Sequence, residues 1–196
     1  MIRRKGNKMF KMKHISSLIQ KFLLLTLIMS NVLATNESYK LLFSGKMDII
    51  SEKEMKEIAA TLGYSVSEDG KNLIENPMCG PIYYEVKFSD INQDKIPEVT
   101  VIGGNTCNSG NSGAYTHLFI KSEDDTYKQI LALPAIGIKL LENHTNGFPD
   151  LTLVEPGFCH AVWSWDGEKY NYKCSLESKK DACKWRKVKL CSNSDI

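Results

Sequence analysis

The chain changes its hydrophobic rhythm once. Between residues 51 and 63 the apolar positions repeat with a helical period, and from residue 81 onward they alternate with a period of two. Ser51-Glu52-Lys53-Glu54 has the form of a capping box, in which a serine hydroxyl accepts from the amide three residues on and a glutamate reaches back. Met55, Ile58, Ala59 and Leu62 then share one helical face, and Gly63 offers the left-handed residue that ends a helix. This predicts an amphipathic helix of about three turns. Thr35 to Lys40 reads as a polar leader before it, and Tyr64 to Val66 as a short strand after it.

The second rhythm predicts strands over Ile82–Phe88, Glu98–Ile102, Ala114–Ile120, Tyr127–Leu133, Ile136–Leu141, Asp150–Val154, Cys159–Trp165 and Lys169–Tyr172. Between them stand residues that favour turns, among them Asp124-Asp125, Asn146-Gly147, Pro156-Gly157 and Asp166-Gly167. Short strands punctuated this regularly give an α+β class, mainly antiparallel β: a short-strand meander with one N-terminal helix and a disulfide-rich C-terminal hairpin. Gly103 to Gly113, rich in Gly, Ser and Asn, reads as a surface loop stapled through Cys107. It lacks the Lys-Ser/Thr ending of a phosphate-binding loop.

The first 34 residues alter the charge argument. Seven Lys and Arg precede the apolar run Phe22–Met29, and Val32-Leu33-Ala34 places small residues before a cut after Ala34, as in a cleavable secretory signal. Cleavage lowers Lys plus Arg from 25 to 18 against 23 acidic residues, so the formal charge moves from +2 to −5. A nucleic-acid partner is therefore not expected. The expected organisation is a signal at 1–34, one β-rich domain at 35–172 and a basic, disulfide-pinned segment at 173–196, with no transmembrane segment in the mature chain. All six cysteines, Cys79, Cys107, Cys159, Cys174, Cys183 and Cys191, follow the cut. An even count behind a secretory signal reads as three disulfides in a secreted or periplasmic protein. Cys79 with Cys107, and two bridges among the other four, is the expected pairing. Lys173 to Cys191 holds seven basic and two acidic residues, whereas Thr35 to Tyr172 holds 11 and 20. The tail is either a solvated complement to an acidic body or a docking surface for an acidic partner, anionic lipid or polysaccharide.

One stretch carries candidate metal chemistry. Asp90, Asn92, Asp94 and Glu98 put oxygen-bearing side chains at positions 1, 3, 5 and 9 of a loop between two expected strands, and the Ile96 carbonyl falls at position 7. A hard cation such as Ca²⁺ takes six to eight oxygens, which alternating Asp and Asn on a curling backbone can supply. Position 6 is Lys95 where glycine is usual, and position 12 is Val101 in place of a bidentate glutamate. The other reading of the same residues is a set of side-chain-to-backbone turns without metal. The stretch Phe88 to Val101 resembles the D-x-N-x-D calcium-loop segment of FG-GAP/VCBS-type repeats, found in integrin-α-like propellers, and Trp165-Asp166-Gly167-Glu168-Lys169-Tyr170 is similar to hairpins that accompany such loops in small exported proteins. The resemblance implies Ca²⁺ held between two strands of a blade. The chain is too short for a seven-bladed propeller and has no second D-x-N-x-D copy.

Catalytic patterns are sparse. His117, His144 and His160 follow no H-E-x-x-H spacing, and no G-x-S-x-G elbow occurs. A Ca²⁺-assisted hydrolase would need these histidines to converge with Asp150 or Glu155. Trp163, Trp165 and Tyr170 offer either a glycan-binding platform or cross-strand core pairs. The function expected first is an exported, non-catalytic binding protein with a protein partner outside the cytoplasm, such as an inhibitor or neutraliser of an exported enzyme. The hydrolase and an envelope glycan-binding module are the alternatives.

Overall fold

A computed structural model describes residues 37–192 and residue 195. The expected signal sequence and its cut after Ala34 lie outside the described residues. The capping-box helix, α1, spans Glu52–Leu62. Ser51 is its N-cap, the Ser51 hydroxyl and Glu54 carboxylate exchange the reciprocal bonds of the box, and Gly63 closes the helix at φ 70°. Glu54 also makes a tertiary contact. Its Oε1 meets Lys121 Nζ at 3.0 Å, which fastens the helix N-terminus to the sheet below. The polar leader is corrected. Residues 37–42 are helical, and Tyr39, Leu42 and Phe43 are buried in the same core as Met55 and Ile58 of α1.

Ten strands follow: β1 Ser65–Val66, β2 Leu73–Ile74, β3 Tyr83–Ser89, β4 Glu98–Gly104, β5 Tyr115–Lys121, β6 Tyr127–Pro134, β7 Ile138–Thr145, β8 Phe148–Leu153, β9 Cys159–Trp165 and β10 Tyr170–Glu177. β1 and β2 form a small hairpin. β3-β4-β5-β6 and β7-β8-β9-β10 are two antiparallel four-stranded meanders, each in simple chain order. The stretch expected as loop between β4 and β5 contains a one-turn helix, α2 (Thr106–Ser109), which the Asn105 side chain caps by accepting from the Cys107 and Asn108 amides.

The first meander is covered on both faces. On one side Val86, Val99, Val101, Phe119 and Tyr127 pack against the helices. On the other, Ile91, Leu118, Ile130 and Leu131 pack against Leu151, Leu153, Trp165 and Tyr170 of the second meander. Adjacent residues Leu118 and Phe119 thus feed opposite cores, as the pleat requires. Every residue of β4 is buried, which explains its unbroken Val-Thr-Val-Ile run. Gly103 in that strand has a packing reason: a Cβ there would stand 2.6 Å from the Tyr64 hydroxyl oxygen.

The three disulfides are Cys79–Cys107, Cys159–Cys183 and Cys174–Cys191. β10 runs through residues 172 and 173, so the basic segment begins inside a strand. The C-terminal return differs from a regular hairpin. Beyond β10 the chain winds through turns over 179–187 and comes back to a parallel bridge between Ser175 and Leu190.

Candidate functional site

The D-x-N-x-D loop joins β3 to β4 and closes on itself. Asp90 accepts from the Asp94 and Lys95 amides at 3.0 Å each, through its two oxygens. Asn92 Oδ1 also accepts from the Asp94 amide, and Asp94 Oδ1 accepts from the Ile96 amide at 2.7 Å. The second Asp94 oxygen accepts from the Asn92 Nδ2 group. Gln93 and Lys95 take left-handed φ values of 64° and 71°, so Lys95 adopts the backbone that glycine would hold more cheaply. Glu98 is only 2% exposed, and the Ile91 amide donates to it at 2.7 Å. Burial pushes its carboxyl up to about 7; the Ile91 bond opposes that rise, and the nearby Asp94 and Asp90 add to it. The donor chemistry suits a hard cation, yet the side chains as folded are occupied with amides. Among the described residues no three His, Cys, Asp or Glu side chains gather in a way that could hold a metal ion.

The residues of the hydrolase expectation sit in separate environments. His117 lies on β5, where Gln129 Nε2 is 2.8 Å from its Nδ1. An amide nitrogen can only donate, so Nδ1 accepts and the neutral ring carries its proton on Nε2; burial pushes this histidine down to about 4. His144, on β7, has Nδ1 2.9 Å from the Glu142 carbonyl. His160, on β9, has Nε2 3.3 Å from Ser178 Oγ. Glu155 follows β8 in the connection to β9. Asp150 is fully buried, accepts from the Thr145 hydroxyl and meets Lys173 Nζ at 2.8 Å. The pairing of β9 with β10 slips at Lys173, between Tyr172 and Cys174. That bulge re-aims one tail cation into the body.

Of Trp163, Trp165 and Tyr170, expected either as a glycan platform or as core pairs, Trp165 and Tyr170 take the core role. Trp165 and Tyr170 are 5% and 4% exposed, face each other across the β9–β10 pair and belong to the core between the meanders. Their ring centroids are 5.6 Å apart, and Phe148 stands 4.8 Å from Trp165 on the other side. Trp163 packs half-buried on the same core and meets Tyr172 edge-on. The period-two pattern correctly puts both tryptophans on one face, and that face turns inward.

The aromatic surface lies elsewhere. Trp185, for which the sequence pattern suggested no role, is 88% exposed. It stands between exposed Lys184, Arg186 and Lys187, two residues beyond Cys183, which is buried and bonded to Cys159 of β9. Arg186 donates to the Cys159 carbonyl, and the Lys189 carbonyl and Cys191 amide bond the backbone of Ser175. The signal that could have found it is local: Lys-Trp-Arg-Lys between two cysteines leaves a tryptophan no apolar neighbours in sequence with which to enter a core. No known protein family, curated protein or solved structure matches the chain.

Proposed function

We propose that this is a non-catalytic binding protein that works outside the cytoplasm, with loops held on two meanders as its contact surface and a protein as its partner. One observation carries the reading: each of the three disulfides fastens a segment outside the strands, whether the 77–79 turn and α2, or the turns after β10. Bridges placed there fix loops in one shape, and a preformed loop gives up less entropy on binding. An oxidising compartment is where such bridges persist. An inhibitor or neutraliser of an exported enzyme has these requirements. The test is capture from the producing cell's own exported fraction by the oxidised protein and by a reduced, alkylated sample. A partner that saturates on the oxidised protein and is lost on reduction supports the reading. Absence of any saturable partner, or equal capture by both samples, overturns it.

Ca²⁺ at the Asp90–Glu98 loop is a second reading, favoured by the charge around Glu98. Burial raises this carboxyl most, and Asp94 and Asp90 add to the rise, so a bound cation would offset their share of the repulsion. A ligand that binds only the folded state raises the melting temperature by mass action. Ca²⁺ should therefore raise the melt, and Asp94→Ala should abolish the rise. A melt indifferent to both Ca²⁺ and EDTA leaves the loop as a hydrogen-bonded turn.

A further inference from the structure

We infer that the turns following β10 form a docking tip for an anionic phospholipid surface, with Trp185 as the side chain that enters the headgroup region. This goes beyond the protein-partner reading and does not depend on it.

Trp185 gives up the apolar burial that a tryptophan normally finds in a core. Its neighbours along the chain are charged. Lys180, Lys184, Arg186 and Lys187 are exposed, and Lys180, Lys184 and Lys187 have no ion-pair partner among the described residues. Two other apolar side chains are exposed nearby along the cross-linked chain. Phe158, beside the bridged Cys159, is 56% exposed with Lys179 Nζ 5.5 Å from its ring, and Leu190, beside the bridged Cys191, is 51% exposed. The tip is also held: two disulfides, the Arg186 bond to Cys159 and the backbone bonds to Ser175 fix it against β9 and β10.

A protein partner that anchors on a tryptophan usually surrounds it with an apolar patch sealed by a polar rim. Here the ring is flanked in sequence by cations. The boundary of a bilayer suits that composition: indole prefers the headgroup level, and each Lys or Arg near an anionic surface contributes about 1 kcal/mol, or roughly fivefold in binding. The acidic body, with 20 acidic against 11 basic residues over 35–172, is repelled by the same surface and so turns the tip toward it.

The experiment is co-sedimentation of the disulfide-bonded protein with phosphatidylcholine vesicles, alone or mixed with phosphatidylglycerol, with fluorescence recorded in parallel. Any contribution of the apolar stretch at 22–29 is common to protein and variants. Binding should need phosphatidylglycerol, weaken with salt and shift tryptophan emission to the blue. Trp185→Ala should abolish the blue shift and weaken binding about tenfold. The double variant Lys184→Ala/Lys187→Ala should weaken it by roughly 25-fold, as two such contacts imply. Unchanged melting temperatures for both variants establish that they fold. Equal binding with and without phosphatidylglycerol, or binding insensitive to both variants, overturns the inference. So does a protein that ignores vesicles yet binds heparin or polyglutamate through these residues, since the face would then serve an acidic polymer.

Discussion

The two meanders share a topology and differ in what holds them. β3–β6 lies between two cores, with the helices on one face and the second sheet on the other, and its β4 has no exposed residue. β7–β10 shares only one of those cores. It is fastened instead by Cys159–Cys183 and Cys174–Cys191 and by the ion pair of buried Asp150 with half-buried Lys173. The first sheet is stabilised by area removed from water, and the second in large part by constraint on the unfolded chain. The division leaves the tail free to be basic and to expose Trp185, because its residence on the sheet does not depend on burying apolar side chains.

The largest expected loss therefore comes from the first meander. Phe119→Ala opens a cavity beneath the helices and should cost about 3–5 kcal/mol in denaturant unfolding. Leu118 on the same strand lines the other core, so unfolding should remain one transition. Two separate transitions would break the picture of β5 as a strand shared by both cores. Next comes the second meander. Cys174→Ala/Cys191→Ala opens a bridge with a sequence separation of 17 residues and should cost about 3 kcal/mol. Hydrogen exchange should report the difference between the regions: β10 amides lose protection first, while β4 and β5 amides keep theirs. Equal loss across both sheets would show that the bridge supports the whole molecule.

A smaller effect follows from Glu98. Its folded pKa, about 7, lies above the ordinary carboxylate value of 4.5. Between those values the folded protein holds the proton more tightly than the unfolded chain. Stability is then greatest below about pH 4.5 as far as this group is concerned, and is lost as pH rises through 7. The loss should be at most about 3 kcal/mol, and Glu98→Gln should flatten it without lowering stability at pH 5. A protein whose stability rises through this window by the same amount in both forms would show Glu98 to be ionised and satisfied in the fold.

The parts of this arrangement visible in the sequence are those set by neighbours along the chain. α1 is bounded by Ser51, Glu54 and Gly63, all within one segment, so cap chemistry and apolar spacing suffice to define it. The strands are legible because a turn residue separates nearly every pair. The helical character of 37–42 is not legible, because six residues are too few to display a helical period and only the contact of Tyr39 and Leu42 with the core of Met55 and Ile58 makes the segment part of it. β2 is equally hidden, since two residues carry no period. Trp163 and Trp165 show that pattern reveals a shared face and is silent on whether a second sheet covers it. Asp150 and Lys173 stand 23 residues apart in the chain and meet through a bulge, and no local rule anticipates that.

The smallest effect separates the two readings of the Asp90–Glu98 loop. Lys95 holds φ at 71°, a conformation that costs a residue with a Cβ about 1 kcal/mol and costs glycine almost nothing. Glycine also gains freedom in the unfolded chain, which offsets part of that relief. Lys95→Gly should therefore stabilise the protein by about 0.5 kcal/mol if the loop is a turn alone, and the gain should be the same with EDTA or with Ca²⁺. If the loop holds a cation, the variant also removes a positive charge from the loop that carries Asp90, Asp94 and Glu98, and the Ca²⁺-dependent rise in melting temperature should become larger than in the unmodified protein. A destabilised variant would contradict both readings, because it would mean that the Lys95 side chain, exposed and without an ion-pair partner among the described residues, supports the loop in a way its geometry does not display.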